Sequence, residues 1–134
     1  MRLKVFLIED NPVIRSNLIE VLDELASSKV IGWATNEKDA VDWLHEHHDD
    51  WEIAVVDLFL EAGSGLGVLE KCRNRHTNQK MVVLSNYVGG PIRERCISLG
   101  ADAVFDKSQE FDEFAEFIKI AVRSDIDPTG FSSL

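Results

Sequence analysis

Five side chains carry most of the chemistry this sequence has to offer. Glu9 and Asp10 follow the run Val5-Phe6-Leu7-Ile8, and Asp57 follows Ala54-Val55-Val56. Ser85 follows Met81-Val82-Val83-Leu84, and Lys107 follows Ala103-Val104-Phe105-Asp106. Three carboxylates brought to one place repel each other and raise their own pKa values unless a positive charge stands among them. A hard divalent cation, Mg²⁺, suits that place because it takes oxygen ligands and keeps several waters. Carboxylates, metal, lysine and hydroxyl together describe a site for a phosphoryl group. One carboxylate must then attack, and Asp57, on the central block, is the best placed.

The elements that must position these groups alternate regularly. Short β-branched or aliphatic blocks occur at 3–8, 30–34, 53–56, 81–84 and 103–105. Between them lie stretches with helical spacing. The first has Ile14, Leu18, Val21, Leu22 and Leu25 on one face, with Asn11 as N-cap and Pro12 at the first helical position. Asn36 caps the second, which presents Ala40, Val41 and Leu44; the third presents Leu66, Leu69 and Cys72. Pro91 opens the fourth, with Ile92, Cys96 and Leu99 inward. Ser108 is the expected cap of the fifth, which carries Phe111, Phe114, Phe117, Ile118, Ala121 and Val122.

Five (βα) units with wholly apolar strands predict an α/β fold, a doubly wound (βα)5 flavodoxin-like sandwich on a parallel sheet. In the order 2-1-3-4-5 the first and third strands are neighbours. The acids at their carboxyl ends then meet at the switch point, where such sheets bind ligands.

With Gly65 eight residues beyond Asp57 and the segment GADAVFD before Lys107, the sequence resembles the receiver domain of two-component response regulators, from residue 3 to about 123. The resemblance implies that Asp57 accepts a phosphoryl group from a sensor histidine kinase or a histidine phosphotransfer protein. It implies Mg²⁺ held by Glu9, Asp10, Asp57 and the backbone carbonyl of Phe59. Lys107 would pair with the phosphoryl oxygens, and Ser85 would swing inward to bond one of them. That swing would rearrange the face of helix four, strand five and helix five. The phosphorylated chain would pass its phosphate on, serve as a phosphate sink or bind a downstream protein target, three uses among which the residues do not choose. The donor would dock over Pro12, Val13 and Ile14.

Two positions depart from the family pattern. Val104 stands where receivers usually carry a switching aromatic, so Tyr87 or Phe105 takes over that task or the switch is weaker. Ser108 stands where proline often follows the lysine, which leaves the Lys107–Ser108 isomer open. Phe59 and Tyr87 flank the approach of a hydrolytic water, so slow self-dephosphorylation is expected.

Composition narrows the field further. Fourteen Lys and Arg against 24 Asp and Glu give a net charge of −10 over 134 residues, which argues against direct nucleic-acid or anionic-membrane binding. No apolar run approaches the roughly 20 residues of a membrane span, and no export signal opens the chain. Cys72 and Cys96 lack CxxC spacing and read as reduced thiols, so a cytoplasmic protein is expected. The expected organisation is a receiver domain over 1–124 with a short tail over 125–134 and no output domain. A homodimer through helices four and five stays open.

Other motifs are weaker. His45-Glu46-His47-His48-Asp49-Asp50 narrowly misses HExxH and reads as a solvated helix end. Gly63-Ser64-Gly65 reads as a tight entry to the third helix. Two rival functions remain: a degenerate receiver used only as a binding module, and an Asp-nucleophile phosphatase of haloacid-dehalogenase type. The second needs an acid two residues after its nucleophile, where this chain has Phe59.

Overall fold

The computed structural model describes residues 2–25, 28–86 and 88–126. Five strands alternate with five helices: β1 (Leu3–Ile8), α1 (Pro12–Glu24), β2 (Ser28–Ala34), α2 (Glu37–Glu46), β3 (Ile53–Val56), α3 (Gly65–Lys71), β4 (Lys80–Ser85), α4 (Gly90–Ser98), β5 (Ala103–Asp106) and α5 (Phe111–Ile126). All strand pairs are parallel, in the order β2-β1-β3-β4-β5. The doubly wound architecture expected from the alternation is the one observed.

The period of two along each strand sends successive side chains to opposite faces. Phe6 and Ile8 of β1 pack with Ala40 and Leu44 of α2, Val68 and Leu69 of α3 and Cys96 of α4. Val5 and Leu7 pack on the other side with Leu18 and Leu22 of α1 and with Phe114, Ile118 and Val122 of α5. Burial of each such large apolar side chain contributes about 1.5–3 kcal/mol. Trp43 extends the first layer outward, stacked between Phe6 at 4.0 Å and His47 at 4.1 Å.

Helix entries follow the chain's own signals. Asn11 accepts from the N–H groups of Val13 and Ile14 before Pro12 opens α1, and Asn36 accepts from Asp39 N at the start of α2. Ser64 accepts from Leu66 N at the start of α3. Three expectations need correction. Ser108 does not cap α5, because Asp106 Oδ1 draws its N–H and hydroxyl and Gln109 N–H into a tight turn, and α5 starts at Phe111. Ile92 is 37% exposed rather than inward, leaving Cys96 as the buried contact of α4. In α3 the deep positions are Val68 and Leu69, with Leu66 only half-buried.

Candidate functional site at the carboxyl ends of the strands

Strand register carries the acids together. Ile8 pairs with Val56, and Asp57 N donates to Ile8 O at 3.0 Å, so Glu9 and Asp57 leave adjacent strands at one level. Ser85 pairs with Asp106, and Lys107 N donates to Ser85 O at 2.9 Å, which places the lysine one step beyond the serine. One carboxylate oxygen from each of Glu9, Asp10 and Asp57 lies within 4.8 Å of the others. Gly65 is needed beside them: a Cβ there would lie 2.3 Å from Asp57 O and 2.8 Å from Leu58 Cα. Only glycine lets the start of α3 close against the backbone that carries the acid.

Both oxygens of Asp57 are engaged. Oδ1 accepts from the Ser85 hydroxyl at 2.7 Å and from Phe59 N at 3.1 Å. Oδ2 accepts from Lys107 Nζ at 3.2 Å, and the same ammonium donates to Glu9 Oε1 at 2.7 Å. Glu9 is 2% exposed and Asp57 7%. Burial is the main reason the Glu9 carboxyl is raised above its ordinary value of 4.5. The Lys107 hydrogen bond opposes that rise, the Asp57 charge adds to it, and Asn11 N–H, donating to Oε2, opposes it again. Glu9, Asp10, Asp57 and Lys107 border a cleft of about 390 Å³ lined also by Asn11, Ile14, Phe59 and Asn86. Its donor set of carboxylate oxygens beside an exposed approach fits a hard divalent ion.

The remaining expected residues fall around this cleft. Phe59 is 56% exposed at its mouth. Pro12 and Val13 are exposed, Val13 at 67%, while Ile14 lines the cleft itself. Arg15 lies over the exposed Trp33 ring at 5.3 Å and donates to Glu9 O, extending this surface. Val104 is buried on the α4 side of the sheet, whereas Phe105 packs edge-on to Phe114 and Phe117 of α5. Phe105 therefore points to the opposite layer from Val104. Tyr87 lies outside the described residues. The Lys107–Ser108 peptide is trans.

Three residues escaped the sequence reading. Asn86 follows Ser85 and lines the cleft, a position readable from the strand end. Glu37 holds the loop before α3, accepting from Ser64 N at 2.9 Å and from Lys71 Nζ at 2.6 Å. Arg93 of α4 donates to Val104 O and to Glu110 Oε1, which also accepts from Asp106 N. Nothing in their spacing announces these last two roles.

A parallel five-stranded sheet of this order, with acids, hydroxyl and lysine at its carboxyl rim, defines the receiver architecture. The sequence matches the response regulator receiver domain family over residues 5–119, and the chain belongs to that family. It is 25% identical over 119 residues to response regulator protein VraR of Staphylococcus saprophyticus, covering 89% of this chain and 56% of VraR. It is 26% identical over 121 residues to the transcriptional regulatory protein YvfU of Bacillus subtilis, covering 90% of this chain and 60% of YvfU. The chain thus spans little more than half the length of these curated relatives. Among solved structures, the response regulator domain of Thermotoga maritima CheB superimposes with a TM-score of 0.77 at 19% identity, covering 92% of this chain and 96% of that one. No helix among the described residues is long and apolar enough to cross a membrane.

Proposed function

We propose that Asp57 is the phosphoacceptor of this receiver and that the cleft around it performs Mg²⁺-dependent phosphoryl transfer. The observation that carries this reading is a nearly buried carboxylate whose one oxygen is oriented by Ser85 and Phe59 N while the other faces Lys107. Those fixed donors orient the carboxylate before any donor arrives, which lowers the entropic cost of attack. An Asp57 oxygen attacks the phosphorus of a phosphohistidine, the P–N bond breaks, and its electron pair returns to the imidazole, which takes up a proton. The product is an acyl phosphate on Asp57. Lys107 turns from the carboxylates to the transferred oxygens, and the Ser85 hydroxyl exchanges its Asp57 partner for one of them.

Glu9, Asp10, Asp57 and the backbone carbonyl of Phe59 would hold Mg²⁺, which when bound neutralises charge on the phosphoryl oxygens. The donor, a sensor histidine kinase or a phosphotransfer protein, docks over the exposed Pro12 and Val13 beside Ile14. A downstream protein reads the face of α4, β5 and α5. There the Arg93–Glu110 brace ties α4 to the start of α5 within three residues of Lys107, a polar linkage that can act where Val104 offers no aromatic lever.

The test is intact mass after incubation with acetyl phosphate. One added phosphoryl group is expected with Mg²⁺ present, and none without Mg²⁺ or in Asp57→Asn. If a time course from seconds to hours traps no adduct, the phosphoacceptor reading is overturned in favour of a binding module.

A further inference from the structure

The opposite end of the sheet carries a second cluster of ligating side chains. The α2–β3 connection, residues 47–52, and the α3–β4 connection, residues 72–79, meet at the amino ends of β3 and β4. His48 and Asp49 come from the first and His76 from the second, 27 residues beyond Asp49 in sequence. One ligand atom from each lies within 4.8 Å of the others. Asp49 Oδ1 sits 2.7 Å from His76 Nε2 and 3.4 Å from His48 Nε2, and the two rings are 5.8 Å apart. The helix end that reads in sequence as merely solvated thus acquires a third ligand from a distant loop.

The two loops do not meet by chance of surface rotamers. Gln79, 4% exposed, joins them through the backbone. Its Nε2 donates to His48 O at 2.6 Å and to Trp51 O at 2.8 Å, while its Oε1 accepts from His76 N at 3.1 Å. One buried amide therefore holds the backbone of both imidazole-bearing residues. Trp51 Nε1, donating to Leu44 O, ties the same turn to α2. Beside the cluster lies a cleft of about 340 Å³ lined in part by His48, His76, Cys72 and Gln79, so the imidazoles are open to solvent and to an incoming ion.

We propose that His48, Asp49 and His76 form a binding site for a borderline divalent metal ion, zinc being the probe of choice, separate from the Asp57 cleft. A tetrahedral ion with ligand bonds near 2.0–2.1 Å sets its ligands about 3.3 Å apart. The two measured Asp49–imidazole separations bracket that edge, so small side-chain rotations suffice. The donor chemistry separates the two sites: two imidazoles and one carboxylate favour zinc, nickel or copper over Mg²⁺, whereas the all-oxygen cluster around Asp57 is of the kind that suits Mg²⁺. Three protein ligands leave a coordination position for water or for a group from another molecule. All three ligands are exposed, so binding displaces water and the proton shared between Asp49 and His76 without opening a core.

The experiment uses the tag-free chain with Mg²⁺ in excess to occupy oxygen-only sites. Zn²⁺ is titrated in competition with a chromophoric chelator, and Co²⁺ is substituted to read the ligand field by its visible absorption. The expected result is one equivalent of Zn²⁺ bound, weakened at least tenfold by His76→Ala and by His48→Ala, with the Co²⁺ band lost in both. Asp57→Asn should bind Zn²⁺ as the parent does. Unchanged affinity in His76→Ala, loss of binding in Asp57→Asn, or no binding by the parent chain would each overturn the site. Because the acetyl phosphate assay reads the other end of the sheet, its outcome and this one are independent.

Discussion

The two ends of the sheet each hold a cluster of polar groups, of different chemistry and under opposite physical conditions. At the carboxyl end, Glu9 and Asp57 are nearly buried and Lys107 lies between them, all three leaving the ends of hydrogen-bonded strands. At the amino end, His48, Asp49 and His76 are exposed and sit on connections whose backbone is held by Gln79. Desolvating two carboxylates is costly, and the ammonium offsets it together with hydrogen bonds from Ser85, Phe59 N and Asn11 N. Exposed imidazoles carry no such cost. A buried charged cluster must therefore be compensated within the fold, while an exposed one can exist without consequence for stability and reveal itself only by what it binds.

The largest expected effect separates the two ends directly. Lys107→Ala leaves Glu9 and Asp57 facing each other with no cation between them. In chelator it should lose about 3–5 kcal/mol of unfolding free energy, the scale for removing one partner of a buried pair. Mg²⁺ should restore part of that loss, since a cation among the carboxylates replaces the missing charge. Urea midpoints with and without Mg²⁺ measure both effects. If the variant matches the parent in chelator, the carboxylates are less desolvated than their burial indicates. The comparison sharpens if His76→Ala, metal-free, stays within about 0.5 kcal/mol of the parent, as exposed surface substitutions do.

The next effect tests what holds the amino end. Gln79→Ala deprives His48 O, Trp51 O and His76 N of their shared partner. Leaving such buried groups unpaired costs about 1–3 kcal/mol, less where water reaches them. The same variant should also weaken Zn²⁺ binding, because the two loops lose their common tie. A urea midpoint and the chelator competition read the two consequences. Lost stability with undiminished Zn²⁺ affinity would show that the ligands find each other without the amide.

The asymmetry also explains which parts of the molecule were legible in the sequence. Glu9, Asp57, Ser85 and Lys107 each follow an apolar strand, so strand periodicity alone brings them to one rim, and the caps at Asn11 and Asn36 follow from local chemistry. Ser108 misled because Asp106, two residues earlier, is a charged acceptor that engages the serine's own N–H and hydroxyl and turns the chain before α5 begins. Ile92 misled because α4 is short and only one of its positions reaches the core. His76 could not be joined to His48 from spacing, since their meeting depends on two loops and on a buried amide. Glu37 and Arg93 act across elements in the same way.

Glu37 offers the smallest effect, and one whose sign depends on pH. Its carboxylate secures the loop between Asp57 and α3, where Gly63 takes φ 78° and a Cβ would lie 2.4 Å from Glu37 Cβ. The Lys71 ammonium, and after it the Ser64 N–H, hold the Glu37 carboxyl below its ordinary value of 4.5. A carboxyl with a lower pKa folded than unfolded binds fewer protons in the native state. Its contribution is therefore complete above the unfolded value and disappears as pH falls through the folded one. Glu37→Gln keeps an acceptor for Ser64 N–H but loses the charge facing Lys71, whose side chain is 58% exposed and screened by solvent. At neutral pH the variant should lose less than about 1 kcal/mol, the scale for a pair with one exposed partner. Urea midpoints of parent and variant should converge as pH is lowered below the ordinary carboxylate range. A difference that persists undiminished in acid would mean that Glu37 acts through packing against Gly63, so that the loop beside Asp57 is held by shape and not by charge.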